Sequence, residues 1–161
     1  MRKRVYIFFA FMLLSIVACT NIHDPNLSVE VHISELSKKE FRMVGTKGFD
    51  HPTINDFRKF TLDVKMDPTD EITARTIHIP NGLERVINTI DRERYSYGGG
   101  FEQDNKGENF AKYRQEFVFY SKGLSESDIK KAFDSAVIRV SWVDRKTVTK
   151  EFVIGDIIQF N

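Results

Sequence analysis

From residue 27 onward the chain is dominated by alternation of apolar and polar positions. In "LSVEVHISEL" Val29, Val31 and Ile33 alternate with Glu30, His32 and Ser34, and "FTLDVKM" repeats the pattern through Phe60, Leu62, Val64 and Met66. Successive side chains of a strand point to opposite faces, so such runs predict strands with one buried face. "ARTIHI" sets Ile77 and Ile79 opposite His78, and "YRQEFVFY" ends in a continuous aromatic run. "VIRVSWV" alternates Ile138, Val140 and Trp142 with Arg139 and Ser141, and "VTKEFVI" closes the series. Six or seven short strands joined by polar turns predict two stacked antiparallel sheets.

Two stretches follow a helical period instead. "PNGLERVINTIDRER" carries Leu83, Val86, Ile87 and Ile90 at i, i+3, i+4 and i+7, with Asn81 and Glu84 spaced as a capping pair. Its β-branched content also suits a strand over "RVINTI", so residues 82–92 remain open between the two. "GLSESDIKKAF" is clearer, because Ser125 and Asp128 form a capping signature ahead of Ile129, Ala132 and Phe133. This helix is expected to cross from one sheet to the other.

The N-terminus has a different texture. Basic Arg2, Lys3 and Arg4 precede an apolar run over residues 5–17 broken only by Ser15, and Ala18 and the single cysteine, Cys19, follow. That is a secretory signal layout. The run falls short of the roughly 20 apolar residues a spanning helix needs. An ordinary signal peptidase cutting after Ala18 prefers a small residue at the third position before the cut, where Ile16 stands.

The tetrad Ile16, Val17, Ala18, Cys19 resembles the lipobox of bacterial lipoproteins, and the resemblance covers the first nineteen residues. It implies cleavage between Ala18 and Cys19 and a diacylglycerol on the Cys19 sulfur. The protein would then be held on the extracytoplasmic face of a cell membrane by lipid. One acyl chain binds a membrane only marginally, whereas two chains, at about 0.8 kcal/mol per buried methylene, hold firmly. Residues 1–18 are thus expected to be a signal peptide, 19–26 a lipidated cysteine with its tether, and 27–161 one domain.

Removing residues 1–18 takes away three of 24 basic side chains and none of 23 acidic ones, so the net charge moves from +1 to −2. A near-neutral chain without a basic block has no field to attract nucleic acid, and none is expected as a partner. With Cys19 carrying lipid, no intramolecular disulfide can form, and stability must come from a packed core. The tether "TNIHDPN" reaches roughly 25 Å at about 3.5 Å per residue. The domain should therefore sit close above the membrane, within reach of lipid headgroups or of an envelope or membrane protein.

The last fifty or so residues, strand, "GLSESDIKKAF", strand, a turn at 144–146 and a final strand, resemble the closing unit of an immunoglobulin-like sandwich, without the cysteine pair of antibody domains. The expected fold is a mainly β, antiparallel immunoglobulin-like β-sandwich with one or two short helices after an N-terminal signal or anchor helix. A different sandwich or a small α+β fold is the alternative.

No candidate chemistry survives inspection. His23, His32, His51 and His78 share no ligand spacing, and "GLSES" lacks the second glycine of a nucleophile elbow. "DNKGEN" has the outline of a calcium loop, but Lys106 occupies an oxygen-ligand position; "MDPTDE", with Asp67, Asp70 and Glu71, reads as a turn. Asp91, Glu93 and Glu108 are carboxylates that a sequence cannot pair. Neither catalysis nor a cofactor or metal is expected.

"YSYGGGFEQDNKGENF" is the remaining feature. Three consecutive glycines, Gly98, Gly99 and Gly100, are costly to order, so they point to positive φ, a bulge or close approach of another backbone. Tyr95, Tyr97 and Phe101 flank them. One reading is a mobile, aromatic-rimmed loop that docks a partner; the plainer one is a long hairpin connection with its tyrosines on the sheet. The expected role is a non-enzymatic interaction module near the membrane. The alternative is a lipoprotein that binds a small molecule or peptide, which needs a concave apolar pocket.

Overall fold

A computed structural model describes residues 24–67, 72, 74–105 and 108–161. The signal segment, Cys19 and the first part of the tether lie outside the described residues, as do Asp70, Glu71 and Lys106. The alternating runs and the aromatic run become strands where the pattern places them: β1 (Asn26–Ser34), β2 (Phe57–Asp67), β3 (Ala74–His78), β5 (Ala111–Tyr120), β6 (Val137–Asp144) and β7 (Lys146–Val153). Two further strands are β4 (Tyr95–Gln103) and β8 (Ile158–Phe160). The protein is mainly β, with a five-stranded sheet in the order β4-β5-β2-β1-β8 and a three-stranded sheet in the order β3-β6-β7.

The expectation of purely antiparallel sheets needs correction. β8 pairs with β1 in parallel, Val31 opposite Ile158 and Ile33 opposite Phe160, which makes the larger sheet mixed. The cause is the chain path: after β7, a single helical turn at Ile154–Ile157 returns the chain from the second sheet to the first, where it runs beside β1. Three residues are too few to show a period of two in sequence.

The inward faces meet in one core. Phe60, Leu62, Val64 and Met66 of β2 and Phe117 and Phe119 of β5 face Ile138, Val140 and Trp142 of β6, all nearly or wholly buried. Phe60 stacks on Phe117 at 4.5 Å between centroids and on Phe133 at 5.1 Å. Phe133 arrives from the helix that crosses between sheets, Glu126–Ala132, whose first turn is closed by Ser125 accepting from the Asp128 amide and Asp128 accepting from the Ser125 amide. The crossing is the one the sequence predicts.

A second, smaller core lies on the opposite face of the five-stranded sheet. The long connection from β1 to β2, with a helical turn at Lys38–Phe41, covers Phe57, Val118 and Tyr120 with Leu36 and Val44. Phe49 packs against Tyr120 at 4.4 Å.

Within residues 82–92 the helical reading holds over 83–89: a turn at Leu83–Val86 followed by a 3-10 turn at Ile87–Thr89, with Leu83 and Ile87 buried. The expected Asn81 and Glu84 cap is not what starts it. Gly82 is the N-cap at φ 75° and supplies no side-chain hydrogen bond. The left-handed conformation sets the angle of arrival there, a geometry glycine adopts without steric cost.

Candidate functional site

The glycine segment is not a loop. Residues 95–103 form β4, the edge strand of the larger sheet, hydrogen-bonded to β5 along its whole length with a bulge between Tyr95 and Tyr97. The hairpin reading is therefore the nearer one, and close backbone approach is the reason for two of the three glycines. A Cβ built on Gly98 would lie 2.5 Å from the Phe117 Cβ and collide with the Glu116 carbonyl; one on Gly100 would meet the Arg114 carbonyl. Gly99 has nothing within 4 Å.

An arginine fastens each end of this strand. Before it, Arg94 is 2% exposed and grips Asp91 with Nε at 2.6 Å and Nη2 at 2.7 Å, while Nη1 donates to the Tyr120 carbonyl at 2.9 Å. The Asn88 side-chain oxygen accepts from the amides of both Arg94 and Tyr95, at 2.7 and 2.8 Å. Beyond it, Asp104 accepts from Arg75 Nε at 2.7 Å and from the Tyr113 hydroxyl at 2.7 Å. Arg75 also donates to the carbonyls of Glu108 and Phe110. Since Arg75 belongs to β3, this contact ties the two sheets together at their open edge.

Register sorts the strand's side chains onto two faces. Gly98, Gly100 and Glu102 lie opposite Phe117, Gln115 and Tyr113 on the inward face. There a groove of about 570 Å³ separates β4 from the segment 77–84, with Ile77, Ile79, Glu84 and Tyr95 on its walls. Tyr97, Gly99 and Phe101 lie opposite Val118, Glu116 and Arg114 on the outward face. A second groove of about 370 Å³ runs there, bordered by Met43 and Phe101. Among the described residues those two are the exposed large hydrophobic side chains, each at 56%.

The floor of the outward groove is ionically fixed. Lys59 Nζ donates to Glu40 at 2.8 Å, and with Ser37 it lowers the Glu40 carboxyl from 4.5 to about 2. Arg114 holds Asp63 at 3.1 Å and Glu116 at 2.8 Å. The Tyr97 hydroxyl donates to the Glu40 carbonyl at 3.0 Å; burial, with the charges of Glu40 and Glu116, raises its pKa and keeps the proton in place.

Other sequence candidates are engaged locally or set apart. Asp91 accepts from Arg94, and Glu108 from Gln103. His32 and His78 stand on strands of different sheets. Among the described residues no group of three or more His, Cys, Asp or Glu is placed to hold a metal ion. Arg75, Arg94, Asp104 and Met43 escaped the sequence reading. No family model matches the chain, and no curated protein or solved structure matches it.

Proposed function

We propose that this chain is a lipid-anchored, extracytoplasmic interaction module without catalytic function, which contacts an envelope or membrane protein through the β4 edge. The observation that carries this reading is the character of that edge. An open strand edge invites pairing, and proteins normally blunt it with short strands or charges. The other three edges follow that practice: β8 has three residues, β3 has five with Arg75 and His78, and β7 carries Lys146, Lys150 and Glu151. β4 has nine residues with Glu102 as its single charge.

The anchor rests on the lipobox resemblance at Ile16, Val17, Ala18 and Cys19. β1 begins at Asn26, seven residues after Cys19, and that short separation supports a site close to the membrane. The two-sheet arrangement with its helical crossover from β5 to β6 supports an immunoglobulin-like sandwich, of which the parallel β8 is a variation. The second reading, a small-molecule- or peptide-binding lipoprotein, draws on the groove of about 570 Å³.

The test is photocrosslinking in living cells with a photoreactive amino acid at position 101, in the wild-type background and with Cys19→Ala. One dominant protein adduct that depends on Cys19 supports the reading. Adducts absent in both backgrounds, or a Cys19→Ala protein that stays as firmly membrane-bound as wild type, would overturn it.

A further inference from the structure

We propose that β4 recruits an extended segment of its partner as an added strand, and that the segment is amphipathic, with basic residues on one face and apolar residues on the other. This rests on the interaction reading above and specifies the chemistry of the partner.

The argument begins with what β4 leaves exposed. Strand addition supplies affinity through main-chain hydrogen bonds and specificity through alternate side chains. Gly98, Gly99 and Gly100 present bare backbone at the middle of the strand, so no side chain of β4 stands between an incoming strand and the two grooves. Because the grooves lie on opposite faces of the same edge, an added strand sends its odd residues into one and its even residues into the other.

The two grooves differ in chemistry. On the inward side the carboxylates of Glu84 and Glu102 line the wall. Two neighbouring cations are directed elsewhere, since Arg75 holds Asp104 and Arg114 holds Asp63 and Glu116 on the outward face. Glu84 is met only loosely, by Arg85, 85% exposed, at 3.8 Å and by the Gln115 amide at 3.4 Å, and His78 also lines the groove, while Glu102 is the charge that β4 itself contributes. A lysine or arginine entering here meets opposite charge. On the outward side Met43, Tyr97 and Phe101 offer apolar surface, and the charges beneath them are paired with one another. An aliphatic or aromatic side chain fits there.

The same charges argue against a second copy as the occupant. Antiparallel pairing of two β4 strands about Gly99 would set Tyr97 against Phe101, but it would also carry another Glu102 into a groove already lined by Glu84 and Glu102. Like charges brought together at an interface oppose association.

The experiment uses the full chain in detergent micelles and a labelled decapeptide of alternating lysine and valine. Controls are a decapeptide of alternating glutamate and valine and one with the lysines and valines in two blocks. Binding of the alternating lysine peptide should weaken about fivefold to tenfold in the double variant Glu84→Gln, Glu102→Gln, as expected for two partly exposed charge pairs. Phe101→Asp should weaken it comparably without unfolding the chain, because Phe101 is more than half exposed. Strand amides alternate in direction, so at least one of the three glycine amides points away from β5. Hydrogen exchange in glycine-labelled protein should slow there when the peptide binds.

Equal binding of the block peptide or the glutamate peptide would overturn the proposal, as would indifference to the glutamine pair. A dimer in sedimentation equilibrium that Phe101→Asp abolishes would replace it with the second copy. A crosslinked partner in cells together with failure of the alternating peptide would leave the interaction reading standing and sink this chemistry. Peptide binding without any crosslinked protein would do the reverse.

Discussion

Arg75 of β3 and Asp104 just beyond β4 form an ion pair across the open edge between the two sheets, with Nε to Oδ1 at 2.7 Å and Nη2 to Oδ1 at 2.6 Å. The side chains are 12% and 20% exposed, so water screens the pair little. Removing one member of such a pair strands the other's charge. Asp104→Asn should cost about 2 kcal/mol in urea unfolding. Tyr113→Phe, which removes only a hydroxyl bonded to the same carboxylate, should cost about 1 kcal/mol. Equal stability of the Asn variant and wild type would show that the edge does not depend on this pair.

The three glycines should respond differently to the same methyl group. Gly98→Ala and Gly100→Ala drive a Cβ into the β5 backbone and should each destabilise by about 2 kcal/mol. Gly99→Ala meets open space and restricts the unfolded chain, so it should be neutral or stabilising by up to about 1 kcal/mol. Denaturant midpoints of the three variants decide this. A uniform loss across all three would contradict close approach as the reason for the glycines.

This contrast also shows what the sequence could convey. Alternation located β1, β2, β3, β6 and β7, because each turns one face toward the core, only half-buried in β3 and β7, and period two is the imprint of that. The aromatic run located β5, which is buried on both faces over 117–120. It missed β4 because three glycines carry no polarity to alternate, although the demand for close backbone approach was readable from their cost. β8 was invisible at three residues, and its parallel pairing is a property of chain path rather than of local pattern. Of the site, Tyr95, Tyr97 and Phe101 were legible as aromatics beside the glycines. Arg75 and Asp104 were not, since 29 residues separate them and no periodicity links a strand arginine to a turn aspartate. Met43 became notable only when the fold set it across a groove from Phe101.

Acid should weaken the outward face at Glu40. Its carboxyl is lowered from 4.5 to about 2 by the hydrogen bond from Lys59 and by Ser37. A carboxylate whose folded pKa is depressed contributes stability above its unfolded pKa and loses it as pH falls through the folded value. The contribution should therefore decline between about pH 4.5 and 2. Both side chains are about a quarter exposed, which limits its size to about 1 kcal/mol. Lys59→Met should flatten that part of the stability profile. An unchanged slope between these pH values would mean the lysine does not hold Glu40 ionised.

Arg94 should be the least replaceable polar side chain of the described chain. It is buried, yet Nε and both Nη groups find acceptors: Asp91 twice, the Tyr120 carbonyl at 2.9 Å and the Lys122 carbonyl at 3.3 Å. A lysine cannot reproduce that planar fork, so Arg94→Lys leaves buried carbonyls without donors and should cost about 3 kcal/mol. Arg94→Met should cost as much, which separates lost hydrogen bonding from lost charge. Asn88→Ala, which frees the amides of Arg94 and Tyr95, should cost about 1 to 2 kcal/mol and speed hydrogen exchange at Tyr95. Because this clamp sets where β4 begins, its loss should also weaken any partner captured at position 101 while Thr149, in β7 of the other sheet, keeps its wild-type exchange rate. If exchange accelerates equally at both positions, Arg94 stabilises the whole fold rather than the β4 edge.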